Sequence, residues 1–96
     1  MVKSFADAGT ADLFYALDTR AARRFPKDVW RRIQKKLIVL DTAQRLADIG
    51  ALPGSRLEGL KGDQTGRYSI RVNDQYRLTF RFDAGDCYEV RCEDYH

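Results

Sequence analysis

Ninety-six residues fit one domain, 1–96, and exclude a second core. Hydrophobic residues make up 44% and charged residues 32%, and aromatic and β-branched residues crowd the second half, which excludes disorder along the whole chain. The net charge of +3 is unevenly spread: Arg20, Arg23, Arg24, Lys27, Arg31, Arg32, Lys35 and Lys36 stand close together with Asp28 as the only negative. Such a segment attracts polyanions or is simply a solvated helix face.

The chain opens with a short apolar stretch, Met1 to Phe5, expected as a first strand. Ala8 to Leu17 carries Leu13, Phe14 and Leu17 at helical spacing. Thr19 can cap a second short helix ending near Phe25, and Pro26 suits the first turn of a third. In that third helix Val29, Ile33, Leu37, Leu40 and Ala43 form one apolar stripe, widened by Trp30 and Ala47. Gly50 and Pro53-Gly54 end it. The longest aliphatic run, Leu37 to Leu40, is far too short to cross a membrane, and no charged-then-apolar leader is visible. The expected location is therefore the cytoplasm, with no membrane partner.

After Ser55 the period changes to two. Arg56 to Lys61 reads as a strand and Gly62 to Gly66 as a turn. Tyr68, Ile70 and Val72 alternate with Ser69, Arg71 and Asn73. Tyr76, Leu78, Phe80 and Phe82 alternate with Arg77, Thr79 and Arg81, and Tyr88, Val90 and Cys92 with Glu89, Arg91 and Glu93. The pattern predicts an antiparallel meander with its apolar face on the helices and its polar face open. Matching apolar positions pairs Val72 with Leu78 and Ile70 with Phe80 across the loop Asp74-Gln75-Tyr76. It then pairs Phe82 with Tyr88 and Phe80 with Val90 across Ala84-Gly85-Asp86. Arg77 then faces Glu93 beside the final residues, Arg81 faces Glu89, and Glu58 lies near Ser69, some distance along the sheet from Arg77. Cys87 and Cys92, five residues apart in one strand, are expected on opposite faces as free thiols.

RNA cleavage by internal attack needs a base for the 2′-hydroxyl, cations for the phosphate and an acid for the leaving 5′-oxygen. The open face offers those types. His96 is the one histidine. Arg71, Arg77, Arg81, Arg91 and Lys61 can meet phosphate. Glu58 is a possible base, and Tyr95 can stack or donate. Each has a plainer alternative: a loose chain end for His96, cross-strand ion pairs for Arg81 and Arg77, an edge cover for Tyr95, ordinary surface positions for Glu58 and Lys61. No zinc-type spacing and no glycine-rich phosphate loop is present.

Three stretches together resemble a known family: Arg56-Leu57-Glu58-Gly59-Leu60-Lys61-Gly62-Asp63; Gly66-Arg67-Tyr68-Ser69-Ile70-Arg71-Val72-Asn73-Asp74-Gln75-Tyr76-Arg77-Leu78; and Glu93-Asp94-Tyr95-His96. Their order, with Val2-Lys3-Ser4-Phe5, Gly9 and Leu13-Phe14 before them, is similar to the HigB branch of the RelE/ParE toxin superfamily. The resemblance implies an α+β, RelE-like fold, with an N-terminal strand and two to three helices on one face of a twisted, mainly antiparallel sheet. It implies a type II toxin that cuts mRNA in the ribosomal A site as a ribosome-dependent endoribonuclease, with no cofactor and no metal. The implied partners are a HigA-like helix-turn-helix antitoxin, the small ribosomal subunit and mRNA, with operator DNA met only through the antitoxin.

Carried over residue by residue, Lys61 resembles the family's catalytic lysine, Arg77 the arginine on the scissile phosphate, and Tyr95 and His96 the terminal tyrosine–histidine pair. Some HigB members have histidine where this chain has Glu58. The YoeB branch has glutamate there, which implies Glu58 as base or proton carrier and His96 as acid, with Lys61 and Asp94 as other bases. RNA contacts are expected from Arg20, Arg23, Arg24, Arg31, Arg32, Lys35, Lys36, Arg71 and Arg81. A RelE-fold protein that occupies the ribosome or antitoxin with little cleavage, and a ParE-like gyrase inhibitor, are the alternatives.

Overall fold

A computed structural model describes residues 1–95. Helix α1, Ala8–Phe14, starts where Asp7 accepts a hydrogen bond from the Thr10 amide at 2.7 Å. It stops three residues short of the expected Leu17. Ala16 takes the left-handed conformation (φ 58°), so that Ala16 N bonds Leu13 O at 3.1 Å and Leu17 N bonds Asp12 O at 2.8 Å. This is a Schellman-type ending with alanine in glycine's usual place. Thr19 caps the next turn as expected, its hydroxyl accepting from Ala22 N at 3.1 Å, and the turn is 3-10, Ala22–Arg24.

Pro26 immediately precedes α2, Lys27–Thr42, whose stripe buries Ile33, Leu37 and Leu40. The single helix expected to continue to Gly50 is in fact two. Ala43 turns to extended backbone (ψ 140°), and a separate α3, Leu46–Gly50, follows. Asp48 accounts for the break: its Oδ2 accepts from Gln44 N at 3.2 Å and Arg45 N at 3.1 Å, capping a new helix where the old one would have continued. These bonds hold the Asp48 carboxyl below the usual carboxylate range. Ala43 still reaches the core, but Ala47 is exposed.

Four antiparallel strands follow in sequential order: β1 Glu58–Gly59, β2 Arg67–Arg71, β3 Tyr76–Asp83 and β4 Asp86–Asp94. Strand β1 is shorter than the expected 56–61 because Arg56 is left-handed (φ 46°) and Lys61 already caps a 3-10 turn, Gly62–Gln64. The β2–β3 register differs from expectation by two residues: Ile70 pairs with Leu78, Tyr68 with Phe80 and Arg71 with Arg77. The cause lies in the loop. Asn73 Oδ1 accepts from Gln75 N at 2.9 Å and Tyr76 N at 2.7 Å, a side-chain turn that makes the loop Asn73-Asp74-Gln75 and closes it with Val72 N on Tyr76 O.

The β3–β4 register follows expectation at the far end, where Arg77 pairs with Glu93 and Thr79 with Arg91. Nearer the turn it slips by one, pairing Arg81 with Tyr88 and Phe82 with Cys87. Glu89 and Val90 stand together opposite Phe80, and Glu89 is left-handed (φ 54°), a β-bulge. The loop shrinks from the expected three residues to Ala84-Gly85, both at positive φ. The bulge also overturns the expectation for the cysteines: Cys87 and Cys92 both point into the core, at 0% and 3% exposure.

The N-terminal stretch runs parallel to β4 and meets it as two isolated bridges, Val2 with Cys87 and Phe5 with Val90. Helices α1 and α2 pack on the inner sheet face, burying Leu13, Ile33, Leu37 and Leu40 against Ile70, Leu78, Phe80 and Val90. The other face is left for polar side chains.

Candidate active site on the outer sheet face

Alternation sends Arg67, Ser69 and Arg71 of β2 outward beside Arg77, Thr79 and Arg81 of β3. The face is less open than expected at its centre, since Ser69, Arg77 and Thr79 are all buried. Two cross-strand pairs set like charges against each other, Arg71 against Arg77 and Arg67 against Arg81. Such pairs destabilise a sheet unless an anion sits between them.

Arg77 is the most constrained of these cations, with a side chain only 9% exposed. Its Nε donates to Ser69 Oγ at 3.0 Å, and its Nη2 donates to Arg56 O at 2.6 Å and Ser69 O at 3.3 Å. The left-handed turn at Arg56 aims that carbonyl at the guanidinium, while Ser55 O accepts from Arg71 N at 2.7 Å and holds the segment to β2. Among the described residues its carboxylate partner is Glu58, with Oε1 at 3.7 Å from Nη2. A guanidinium carries five N–H donors, and Nη1 donates to no described residue.

The expected separation of Glu58 and Arg77 is corrected. Glu58 does pair with Ser69. The two-residue shift, however, sets Arg77 opposite Arg71, two pairs along from Ser69, close enough for its side chain to reach back to both. At the far side, the Tyr95 ring lies 5.4 Å from the Arg77 guanidinium, so Arg77 lies beside Asp94 and Tyr95 as expected. Gln75 holds them there, its carbonyl accepting from Tyr95 N at 2.7 Å and its amide donating to Asp94 at 3.1 Å. The possible Arg77–Glu93 ion pair does not form; Glu93 instead accepts from Thr79 at 2.5 Å. Lys61 is exposed at the end of the β1 segment and makes no ion pair with a described residue. His96 lies outside the described residues.

The expected RNA-contacting cations fall into two sets. Arg23 and Lys27 are both tied to Asp18 and, Arg23 foremost, hold its carboxyl low; Arg24 is tied to Asp7, Arg71 to Asp74 and Arg81 to Glu89. Arg20, Arg31, Arg32, Lys35 and Lys36 form no ion pair with a described residue. Arg32, Lys35 and Lys36 share a groove of about 350 Å³ with Arg71, Pro53, Gly54 and Val72. The basic helix and the sheet are thus joined by Arg71. Among the described residues no three His, Cys, Asp or Glu side chains cluster as metal ligands, and no helix is long and apolar enough to cross a membrane.

Four contributors escaped the sequence reading. Ser69 and Arg67 carry a signal, because counting back by two from Arg71 puts both on its face. Gln75 was assigned to the loop, without its grip on the terminus. The Arg56 carbonyl carries none, since a left-handed arginine has no sequence mark.

A family model described as "RelE-like toxin of type II toxin-antitoxin system HigB" matches residues 3–96. The chain is 43% identical over 72 residues to "Toxin HigB-1" of Vibrio cholerae serotype O1, covering 75% of each. It is 35% identical over 96 residues to "Endoribonuclease HigB" of Proteus vulgaris, covering 100% of both. Its fold matches the YoeB dimer from Staphylococcus aureus at TM-score 0.58 and 26% identity, covering 99% of this chain and 94% of that one. It also matches a YoeB/ParE toxin from Agrobacterium tumefaciens at TM-score 0.61 and 16% identity, covering 98% and 99%. With an α+β fold of this kind and a family match that runs from Lys3 onward, the chain belongs to the HigB family of RelE-like toxins of type II toxin–antitoxin systems.

Proposed function

We propose that this toxin is a ribosome-dependent endoribonuclease that cuts mRNA by internal attack of a 2′-hydroxyl. The observation that carries the reading is Arg77. A nearly buried guanidinium, fixed by Ser69 and the Arg56 carbonyl, keeps donors that no described residue accepts and stands between a carboxylate and an aromatic ring. A cation held in this way pays no reorganisation when charge grows on a phosphate. The full-length likeness to a relative named as an endoribonuclease supports the same reading.

In this scheme Glu58 takes the 2′-hydroxyl proton. The 2′-oxygen bonds to phosphorus, Arg77 and Lys61 hold the non-bridging oxygens, and the bond to the 5′-oxygen breaks as His96 supplies its proton. The products are a 2′,3′-cyclic phosphate and a free 5′-hydroxyl. Tyr95 packs on Arg77 and stacks on a flanking base. The cations of α2 that pair with no described residue, with Arg32, Lys35 and Lys36 sharing a groove with Arg71, grip RNA of the small ribosomal subunit. Membership of a toxin–antitoxin family supports an antitoxin partner, which we take to be a HigA-like helix-turn-helix protein.

Primer extension on mRNA in purified ribosomes tests the scheme. The wild-type chain should create new 5′ ends, and Arg77→Ala or His96→Ala should abolish them while ribosome binding persists. Unchanged transcripts at saturating wild-type protein would refute the enzyme, and normal cutting by both variants would refute the site.

A further inference from the structure

The scheme above uses one end of the outer face, and a second cluster of cations occupies the other. Arg67 and Arg81 are directly opposed across β2 and β3. Both guanidinium groups converge on one carboxylate oxygen, Glu89 Oε1, at 4.0 and 3.2 Å. Glu89 stands there because the bulge turns it left-handed. Arg67 also donates to Thr79 Oγ1 and Glu89 O, each at 3.4 Å, and Arg81 lies 4.5 Å over the Tyr88 ring, which the bulge has moved to this face.

Two full positive charges thus share one exposed carboxylate, so the cluster keeps an excess of charge and of guanidinium donors. Like-charged opposed residues cost a sheet stability, and an incoming anion relieves that cost. Arg81 lies four residues along β3 from Arg77 on the same face, a span of about 13 Å at strand rise. The axial rise of a duplex strand, about 3.4 Å per phosphate, is a lower bound on phosphate spacing, so the two cation centres lie no more than about four nucleotides apart.

We propose that Arg67 and Arg81, with Tyr88 as an aromatic shelf, form a second phosphodiester subsite that lays the substrate RNA along β3, within about four nucleotides of the phosphate at Arg77. The proposal rests on the reading of Arg77 as the scissile-phosphate residue. Glu89 acts as a stand-in, occupying the arginine pair until RNA displaces it.

The test measures binding of the full chain to single strands of three and eight nucleotides, uncleavable because they lack 2′-hydroxyls, over a salt series. The wild type should bind the longer strand more tightly. Arg67→Gln with Arg81→Gln should weaken the eight-nucleotide strand about tenfold, the scale of lost hydrogen bonds to charge. It should also lower the salt slope by about 0.7 and leave the three-nucleotide strand unchanged. Glu89→Gln should tighten the longer strand alone. If the double variant does not fold by circular dichroism, Arg81→Gln alone serves, its side chain being 42% exposed. Equal binding of the longer strand by wild type and arginine variant overturns the subsite. A loss confined to empty ribosomes overturns it as well, assigning the pair to ribosomal RNA. Arg77→Ala should weaken both strand lengths. If it binds and cuts like wild type, the catalytic reading fails separately, while the long-versus-short comparison still reports on Arg67 and Arg81.

Discussion

Ser69 has no chemistry of its own in cleavage, yet it accepts two of the hydrogen bonds that fix Arg77 and is fully buried. Its hydroxyl is the acceptor for Nε, so Ser69→Ala strands a buried, charged donor. The expected loss is about 1–3 kcal/mol of stability, read as a lowered midpoint in urea unfolding, together with slower cleavage. Ser69→Thr keeps the hydroxyl and should restore part of both. At this scale the sequence was partly legible. Alternation put Ser69, Arg77 and Arg81 on one face, and hairpin order brought Arg77 to the terminus. What it could not reveal was which acceptors Arg77 would take, because one of them is a backbone carbonyl turned by a left-handed Arg56.

Among the elements, helix α1 and strand β4 are each shaped by one left-handed residue that is not glycine. Ala16 closes α1 at φ 58°, a conformation that costs an L-residue roughly 1–2 kcal/mol. Ala16→Gly should therefore raise the melting temperature, with a net gain of about 1 kcal/mol once glycine's entropy is counted. In β4 the bulge at Glu89 turns both thiols inward, where burial pushes Cys87 up to about 11 and Cys92 to about 12 from an ordinary 9.0. A raised thiol pKa favours the folded state fully below pH 9, and that contribution fades as pH climbs from 9 toward 11 and 12. Melting temperature should fall over that window, less steeply in a Cys87→Ala, Cys92→Ala variant, and folded protein at pH 8 should resist alkylation until denatured. The two register errors have different origins: the one-residue slip in β3–β4 is absorbed by the bulge at Glu89, while the two-residue shift in β2–β3 is one that side-chain faces do not forbid. Face matching forbids a one-residue slip but not a slip of two, which keeps every side chain on its face. Asn73 chose between the allowed registers, and its turn-forming bond is a local effect that periodicity does not see.

For the molecule as a whole, the uneven charge of the sequence becomes a continuous basic track from α2 through Arg71 onto the sheet. If Lys35 and Lys36 each neutralise one phosphate of ribosomal RNA, replacing both by Gln should reduce the salt slope of ribosome binding by about 1.4 to 1.8. The remaining affinity should depend less on ionic strength, while melting stays unchanged, because neither lysine is paired with a described residue. The layered plan of helices on one sheet face was readable from the switch of period at Ser55. The split of the long helix was not, because the apolar stripe continues in register to Ala43 while Asp48 redirects the backbone behind it.

The parallel docking of the N-terminal stretch on β4 also limits how this molecule can be joined. Lys3 and Ala6 donate to β4 carbonyls, and Met1 and Ser4 carbonyls receive β4 amides. From Cys87 to Val90 the sheet's outer margin is therefore covered by its own chain, and a foreign strand would have to displace that stretch to pair there. Strand addition by a partner is directed to β1, which offers two residues of ladder, too little for an extended peptide to zip along. A partner that leaves this stretch in place meets side chains, on the basic helix or over the arginine-lined face, and an acidic surface would complement both.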